Sequence, residues 1–367
     1  MRRLVLYFLK LGTTGFGGPI ALAGAMQHDL VEKRGWITRE EYLRGLALAQ
    51  LAPGPLAAQL AIYIGWVRGG VAGATLVGLA FVLPSFVIVL GLSWLYLRFH
   101  GLRWMQAAFY GVGAAVIAII ARSAVKLVRM TLKRDVVLWA IAAAVAVVTA
   151  LTEREIVWLF LASGVLALVF RSRYAPAAAV VAPWLFAGAR GAASPATLGK
   201  IFIYFAEAGA FVFGSGLAIV PFLYGGVVEQ YHWLTQQEFV DAVAVAMITP
   251  GPVVITVAFI GYLVGGPIGA TVAAVAVFLP CYLFVIIPAP YYERYAGKKG
   301  IVDFVDGVTA AATGAIAGAA FVLGRRALFD ATTIAICAIV FVVITLTKKV
   351  PEPLLILAAA AAGLVLR

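Results

Sequence analysis

Apolar stretches long enough to cross a bilayer follow one another along this chain, separated by short polar joints. They run at about 4–26, 43–66, 70–97, 104–128, 135–152 and 155–170, then a shorter one at 175–190, then 201–227, 240–263, 266–289, 303–324, 329–346 and 352–366. A transmembrane helix needs about 20 predominantly apolar residues. Hydrophobic residues make up 64% of the chain and charged residues 12%, whereas soluble domains are nearer half apolar and a quarter charged. A water-soluble enzyme, a disordered chain and a disulfide scaffold are excluded. The expected fold is an all-α polytopic membrane protein with about 12–13 spans.

The remaining composition narrows the class. The net charge is +12, but the Lys and Arg residues are scattered among short loops, as in polytopic proteins facing anionic lipid. No basic stripe with interleaved aromatics occurs, so nucleic acid is not an expected partner. Cys281 and Cys337 sit in apolar runs, outside any CxxC or Cys/His cluster, and read as small buried hydrophobes. His28, His100 and His232 are isolated in sequence. No metal or other cofactor is expected. Met1-Arg2-Arg3-Leu4 resembles a signal n-region, but no A-x-A-like site follows, and it reads as the start of an uncleaved first segment.

The chain is a duplication. FLKLGTTGFG, from Phe8 to Gly17, aligns with FAEAGAFVFG, from Phe205 to Gly214, at an offset of 197. The same offset pairs Trp36 with Trp233, Thr38 with Thr235, Glu41 with Glu238, and Pro53-Gly54-Pro55 with Pro250-Gly251-Pro252. After one deleted residue the offset is 196. It then pairs Ile64-Gly65 with Ile260-Gly261, Gly69-Gly70 with Gly265-Gly266, and Pro84 with Pro280. The expected units are 1–171, a linker at 172–198 with an extra span at 175–190, and 199–367. Duplicated halves are common in secondary transporters, often in opposite orientation with the substrate between them. Counting Lys and Arg by side gives the same balance for inverted and parallel halves. Basic residues in the loop at 28–44 but not at 229–241 favour inversion.

Four breaks interrupt the apolar segments. Segment one carries Gly15-Phe16-Gly17-Gly18-Pro19 and its copy Phe213-Gly214-Ser215-Gly216. Segment two carries Gln50-Leu51-Ala52-Pro53-Gly54-Pro55 and its copy Ile248-Thr249-Pro250-Gly251-Pro252. An interior proline costs a helix about 3 kcal/mol and a hydrogen bond. The freed backbone groups cannot face lipid. Each break therefore ends one half-helix and starts another, whose unpaired N–H groups and partial positive charge suit an anion. Packing kinks at small residues are the competing reading. Candidate binding residues are Gly17, Gly18, Gln50, Pro53, Gly54 and Gln59 in the first half. In the second they are Gly214, Ser215, Thr249, Gly251 and Thr256. Gln59 and Thr256 are repeat partners that either aim at one central point or bond between helices.

Ionisable residues in apolar segments read as functional by default. Lys10 and Glu207 occupy equivalent positions and either pair across the halves or act separately, on the anion and on a proton. Lys10 also has the option of snorkelling to the interface. Arg122 either lines an anion path or, with Lys126 and Arg129, marks the cytoplasmic end of its helix. Thr38 and Thr235 precede Glu41 and Glu238 at capping-box spacing.

The break at Phe16–Pro19, the Q-x-x-P-G-P run at Gln50–Pro55, the Trp-Ile-Thr and Trp-Leu-Thr loops, and the T-P-G-P run at Thr249–Pro252 together resemble the chromate ion transporter family, in its two-domain form, over nearly the whole chain. The resemblance implies halves in opposite orientation and a multi-pass protein of the plasma (inner) membrane. It also implies export of chromate linked to the proton motive force, conferring resistance, with sulfate as a related substrate. A homodimer is left open. Gly214-Ser215-Gly216 departs from Gly17-Gly18-Pro19, so the halves are not expected to contribute identically. Both ions are tetrahedral dianions, suited to N–H donors from several directions. Moving one charge across 100 mV is worth about 2.3 kcal/mol, so a dianion leaving an inside-negative cell gains about twice that. Uniport and proton antiport both remain open. So do sulfate as the main substrate and, from a different class, a non-transporting membrane subunit. No clustered histidine ligands or Ser-His pair supports a membrane enzyme.

Overall fold

The computed structural model describes residues 1–16, 18–99, 103–132, 135–152, 157–172, 195–211, 213–214, 219–291, 299–347 and 350–366. The expected extra span at 175–190, together with Gly17, Ser215 and His100, lies outside them.

The first half contains α1 (Arg2–Thr14), α2 (Gly18–Met26), α3 (Arg39–Leu51), the short strand β1 (Gly54–Pro55), α4 (Leu56–Phe99), α5 (Arg103–Thr131), α6 (Val136–Thr152) and α7 (Val157–Ser172). The second contains α8 (Pro195–Phe211), β2 (Phe213–Gly214), α9 (Ile219–Tyr224), α10 (Gln236–Ile248), α11 (Thr256–Ile286), α12 (Lys299–Ala327), α13 (Ala331–Leu346) and α14 (Glu352–Leu366). Short π-helical turns, Gln27–Lys33 and Gly225–Gln230, follow α2 and α9 at equivalent positions. α3 and α10 each open on the expected capping box, Thr38 with Glu41 and Thr235 with Glu238. The Thr38 amide donates to Glu41, which holds that carboxyl below the usual range.

The broken segments are helical hairpins. Tyr7 donates to the Ala25 carbonyl over 3.4 Å, and Tyr204 to the Phe222 carbonyl over 2.7 Å. These partners would stand about 27 Å apart on a straight helix. α1 therefore folds back on α2, and α8 on α9. Likewise a methyl group on Gly45 would collide with the Tyr63 ring, so α3 folds back on the first arm of α4. α4 itself reverses at Gly69–Gly70, with Gly70 at φ 56°. α11 reverses at Gly265–Gly266, with Gly266 at φ 63°. Gly65 and Gly73 touch across the first reversal, and Gly261 and Gly269 across the second. The segments at 4–26, 43–66, 201–227 and 240–263 thus enter and return instead of passing through as single helices. Among the described residues, four stretches of helix are long and apolar enough to cross a membrane, within Leu56–Phe99, Trp104–Lys126, Val253–Tyr291 and Val302–Arg325, with four shorter apolar helices beside them.

The halves are intertwined. α5 packs on α13 and α14 of the other half, while its counterpart α12 packs on α6 and α7. Glycine permits both contacts: Gly111 lies against the Ala359 carbonyl, and its partner Gly307 against the Ser163 carbonyl. Arg171 adds an ionic tie, reaching Asp135 (3.1 Å), Asp303 (3.3 Å) and Asp306 (2.7 Å). Within a membrane, close approach at small residues replaces the hydrophobic effect as the association force. Gly111→Leu and Gly307→Leu should each lower stability by about 3 kcal/mol, at the upper end of overpacking costs. Thermal unfolding of the detergent-purified variants checks this.

Candidate functional site

The four breaks pair crosswise between the halves. The tip of the first half's second hairpin pairs with the tip of the second half's first hairpin through β1 and β2, which run parallel, Gly54 opposite Phe213 and Pro55 opposite Gly214. The reciprocal junction is made by the Gly251 amide, which donates to the Gly15 carbonyl over 2.9 Å. Each second-hairpin tip is thereby bound to a first-hairpin tip of the opposite half. The backbone groups freed by proline find each other instead of lipid.

Glycine is required at both second-hairpin tips. Gly54 has φ 139° and Gly251 φ 97°, a region that L side chains rarely adopt. A Cβ at Gly54 would lie 2.6 Å from Gln59 Nε2 and 3.2 Å from Cys281 Sγ, and one at Gly251 would collide with Ser85 Oγ. Ser85 and Cys281 are repeat partners, each following a helix proline, and each abuts the tip contributed by the other half. Ser85 donates to the Pro250 carbonyl over 2.6 Å. The arms leaving the tips are the innermost helices: residues 56–65 and 256–261 are all buried.

The sequence candidates divide accordingly. Pro53, Gly54, Gln59, Gly214, Thr249, Gly251 and Thr256 lie at or beside the junction, and Gly18 opens α2 just beyond its break. Gln59 Nε2 donates to the Pro53 carbonyl over 2.6 Å, and Thr256 Oγ1 to the Val253 carbonyl over 2.7 Å, so both buttress their own tip. Gln59 Oε1 is buried and has no hydrogen-bond partner among the described residues. Thr249 donates back to the Val245 carbonyl. Gln50 is exposed at the end of α3. Lys10 and Glu207 are exposed on α1 and α8, and no ion pair joins them among the described residues. Arg122 faces Glu352 of α14, away from the tips. Sequence reasoning missed Ser85 and Cys281, whose only signal was a small residue after the matched prolines Pro84 and Pro280. It also missed Asp241, an acid at the edge of an apolar segment.

The junction is symmetric, but its surroundings are not. Along α3, Leu43, Leu46, Ala47 and Gln50 form a face that is exposed or half-buried. Their counterparts on α10, Val240, Val243, Ala244 and Met247, are all buried. Leu43 is 50% exposed and Val240 5%. α10 is covered by α5 and α14, and Val240 reaches Gly113 of α5. By the repeat, α12 and α7 are the elements equivalent to those that cover α10, and they leave this α3 face uncovered.

Ser85→Ala leaves the Pro250 carbonyl without its donor and should cost about 1–3 kcal/mol of stability. Gly54→Val and Gly251→Val should insert normally yet lose transport at least tenfold. Flux per correctly inserted protein is the measurement, and normal flux in both valine variants would sink the tip junction as the working site.

Comparison with known proteins is consistent across the chain. The family model described as "Chromate transporter" matches residues 2–168 and again 199–364. The "Chromate transport protein" of Cupriavidus metallidurans is 58% identical, covering 100% of this chain and 93% of that protein. The "Probable chromate transport protein" of Synechococcus elongatus is 56% identical, covering 100% and 95%. The "Chromate transport protein" of Pseudomonas aeruginosa is 35% identical, covering 86% and 79%. No solved structure matches the chain.

Proposed function

The chain belongs to the chromate transporter family, and on that premise we propose that it exports chromate from the cytoplasm, held at the junction of the four hairpin tips. It is a multi-pass membrane transporter, not an enzyme. The observation that carries the proposal is the crosswise pairing of the four breaks between the two halves. α2, the first arms of α4 and α11, and α9 all start at or just after a tip, and the first N–H groups of a helix have no acceptor within it. Such donors and the aligned peptide dipoles favour an anion without a fixed positive charge. A tetrahedral dianion takes donors from several directions, and a site made of backbone releases it more readily than a site made of arginine.

We further infer that the halves are inverted. Thr75 Oγ1 and Tyr282 Oη are 2.6 Å apart. The repeat partner of Thr75 is Thr271, which precedes Tyr282 by about 16 Å of helix. Halves related by a two-fold axis along the membrane normal would hold Thr75 level with Thr271, beyond the reach of the tyrosine. An axis in the membrane plane makes the second arms of α4 and α11 antiparallel and brings the two hydroxyls together.

Inverted halves give alternating access. The open α3 face and the sealed α10 face are the two sides of one cycle, with access to the tips from the first half's side. In the opposite state α12 closes on α3 as α5 now closes on α10. Leu43 then meets Thr309, the repeat partner of Gly113, while Val240 leaves Gly113.

Two measurements test this. Purified protein in proteoliposomes should carry chromate above protein-free vesicles, with sulfate competing and an imposed potential or pH gradient driving the flux. No flux under any gradient by correctly inserted protein defeats the transporter reading. Sulfate flux exceeding chromate flux would make sulfate the main substrate. In a background lacking Cys281 and Cys337, the pairs Val240→Cys/Gly113→Cys and Leu43→Cys/Thr309→Cys should each cross-link and each arrest transport, with chromate shifting their yields in opposite directions. Cross-linking of both pairs in the same molecules would refute alternation.

A further inference from the structure

A second site lies away from the tips. A half-open cavity of about 750 Å³ is lined by α5, the start of α10, the end of α4 and the joint between α12 and α13. Asp241 lines it, although the residue is only 3% exposed. Tyr96 donates to Asp241 Oδ2 over 2.7 Å, and Gln237 Nε2 to Oδ1 over 3.0 Å. We propose that Asp241 is the proton site of coupled transport, its carboxylate binding a proton from this cavity and releasing it once per cycle. The proposal rests on the transporter reading and names the group that couples it.

No cationic group of the described cavity lining faces this carboxylate. α4 contributes Tyr96. α5 contributes Gln106 and Tyr110, and Tyr110 is held by Asp330 at the start of α13. On α10 itself the nearest charge is Glu238, which is engaged with Thr235. α11 contains no Asp, Glu, Lys, Arg or His, and the only charged residue of α14 is Glu352, which faces Arg122 and Lys126. The π-helical turn before α10 carries Glu229, another acid. An ionised carboxylate withdrawn from water without a cation is costly, and intramembrane acids of this kind mark ion or proton pathways.

The donors select the ion. Both carboxylate oxygens already accept from neutral N–H or O–H groups, whereas a metal cation requires several oxygen acceptors directed at one point. A proton needs only one lone pair. The repeat adds a second argument: the partner of Asp241 is Arg44, on the open α3 face, so the acid occurs in one half only. Asp241 also adjoins Val240, whose contact with Gly113 seals α10 against α5. Movement of α10 away from α5 alters the exposure of Asp241 and its bond to Tyr96 together, which links proton occupancy to the gate.

The test uses the full chain in proteoliposomes, with chromate as substrate and a trapped pH dye reporting proton movement. Wild type should show proton flux that depends on chromate, and chromate–chromate exchange that varies with pH. D241N should retain exchange within about threefold, lose chromate-dependent proton flux at least tenfold, and show no pH dependence of exchange. Tyr96→Phe keeps the carboxylate but removes one donor to its charged form, so the pH midpoint of exchange should move upward. Proton coupling retained by D241N overturns the proposal, as does an unmoved midpoint in Tyr96→Phe. If D241N does not insert, the Tyr96→Phe midpoint decides alone. Wild-type chromate flux without proton flux overturns the proton site but leaves the transporter reading standing. Absence of any chromate flux defeats that reading itself.

Discussion

The frame of this protein is organised by the need to pair the backbone at four broken helices. Proline and glycine at the hairpin tips release N–H and C=O groups in an environment without water, where each unpaired group costs several kcal/mol. The solution is mutual. Gly54 and Pro55 lie along Phe213 and Gly214, and the Gly251 amide meets the Gly15 carbonyl. Because each bond joins one half to the other, neither half completes its own tips. A second half is therefore a structural requirement of the first.

The same crosswise logic extends outward. α5 and α12 each rest on the terminal helices of the opposite half, with Gly111 against Ala359 and Gly307 against Ser163. Contacts come in pairs at the repeat offset: Gly12 against Phe81 and Gly209 against Val277, Tyr7 to Ala25 and Tyr204 to Phe222. Against this regular frame, the open face of α3 and the covered face of α10 break the symmetry. Two nearly equivalent packings of one frame are what an alternating carrier needs.

Charge is kept off the junction. Lys10 and Glu207 lie on exposed faces, Arg122 faces Glu352, and Arg171 gathers Asp135, Asp303 and Asp306 at the packing of α12 on α6 and α7. The tips are built of glycine, proline, small hydroxyl and amide side chains, and main chain. Asp241 departs from this arrangement, in a separate cavity and in one half only.

The sequence by itself determined the membrane class, the duplication, the positions of the four breaks and the capping boxes at Thr38 and Thr235. These depend on local composition, spacing and self-similarity, which need no knowledge of neighbours. It also singled out Gly54, Gly251, Gln59 and Thr256, because a Pro-Gly-Pro run within an apolar segment has few physical uses. The tertiary structure alone decided that broken segments are hairpins, since a break specifies where a helix ends and not the angle at which the chain leaves. It alone placed Ser85 and Cys281 on the opposite half's tips, and showed Gln59 and Thr256 turned back on their own. Lys10 and Glu207 are symmetric in the sequence, yet both are exposed and no ion pair joins them among the described residues, because repeat equivalence fixes a position on a helix and not the neighbour it meets. Asp241 reads as an ordinary edge acid until Tyr96, 145 residues away in the chain, closes over it.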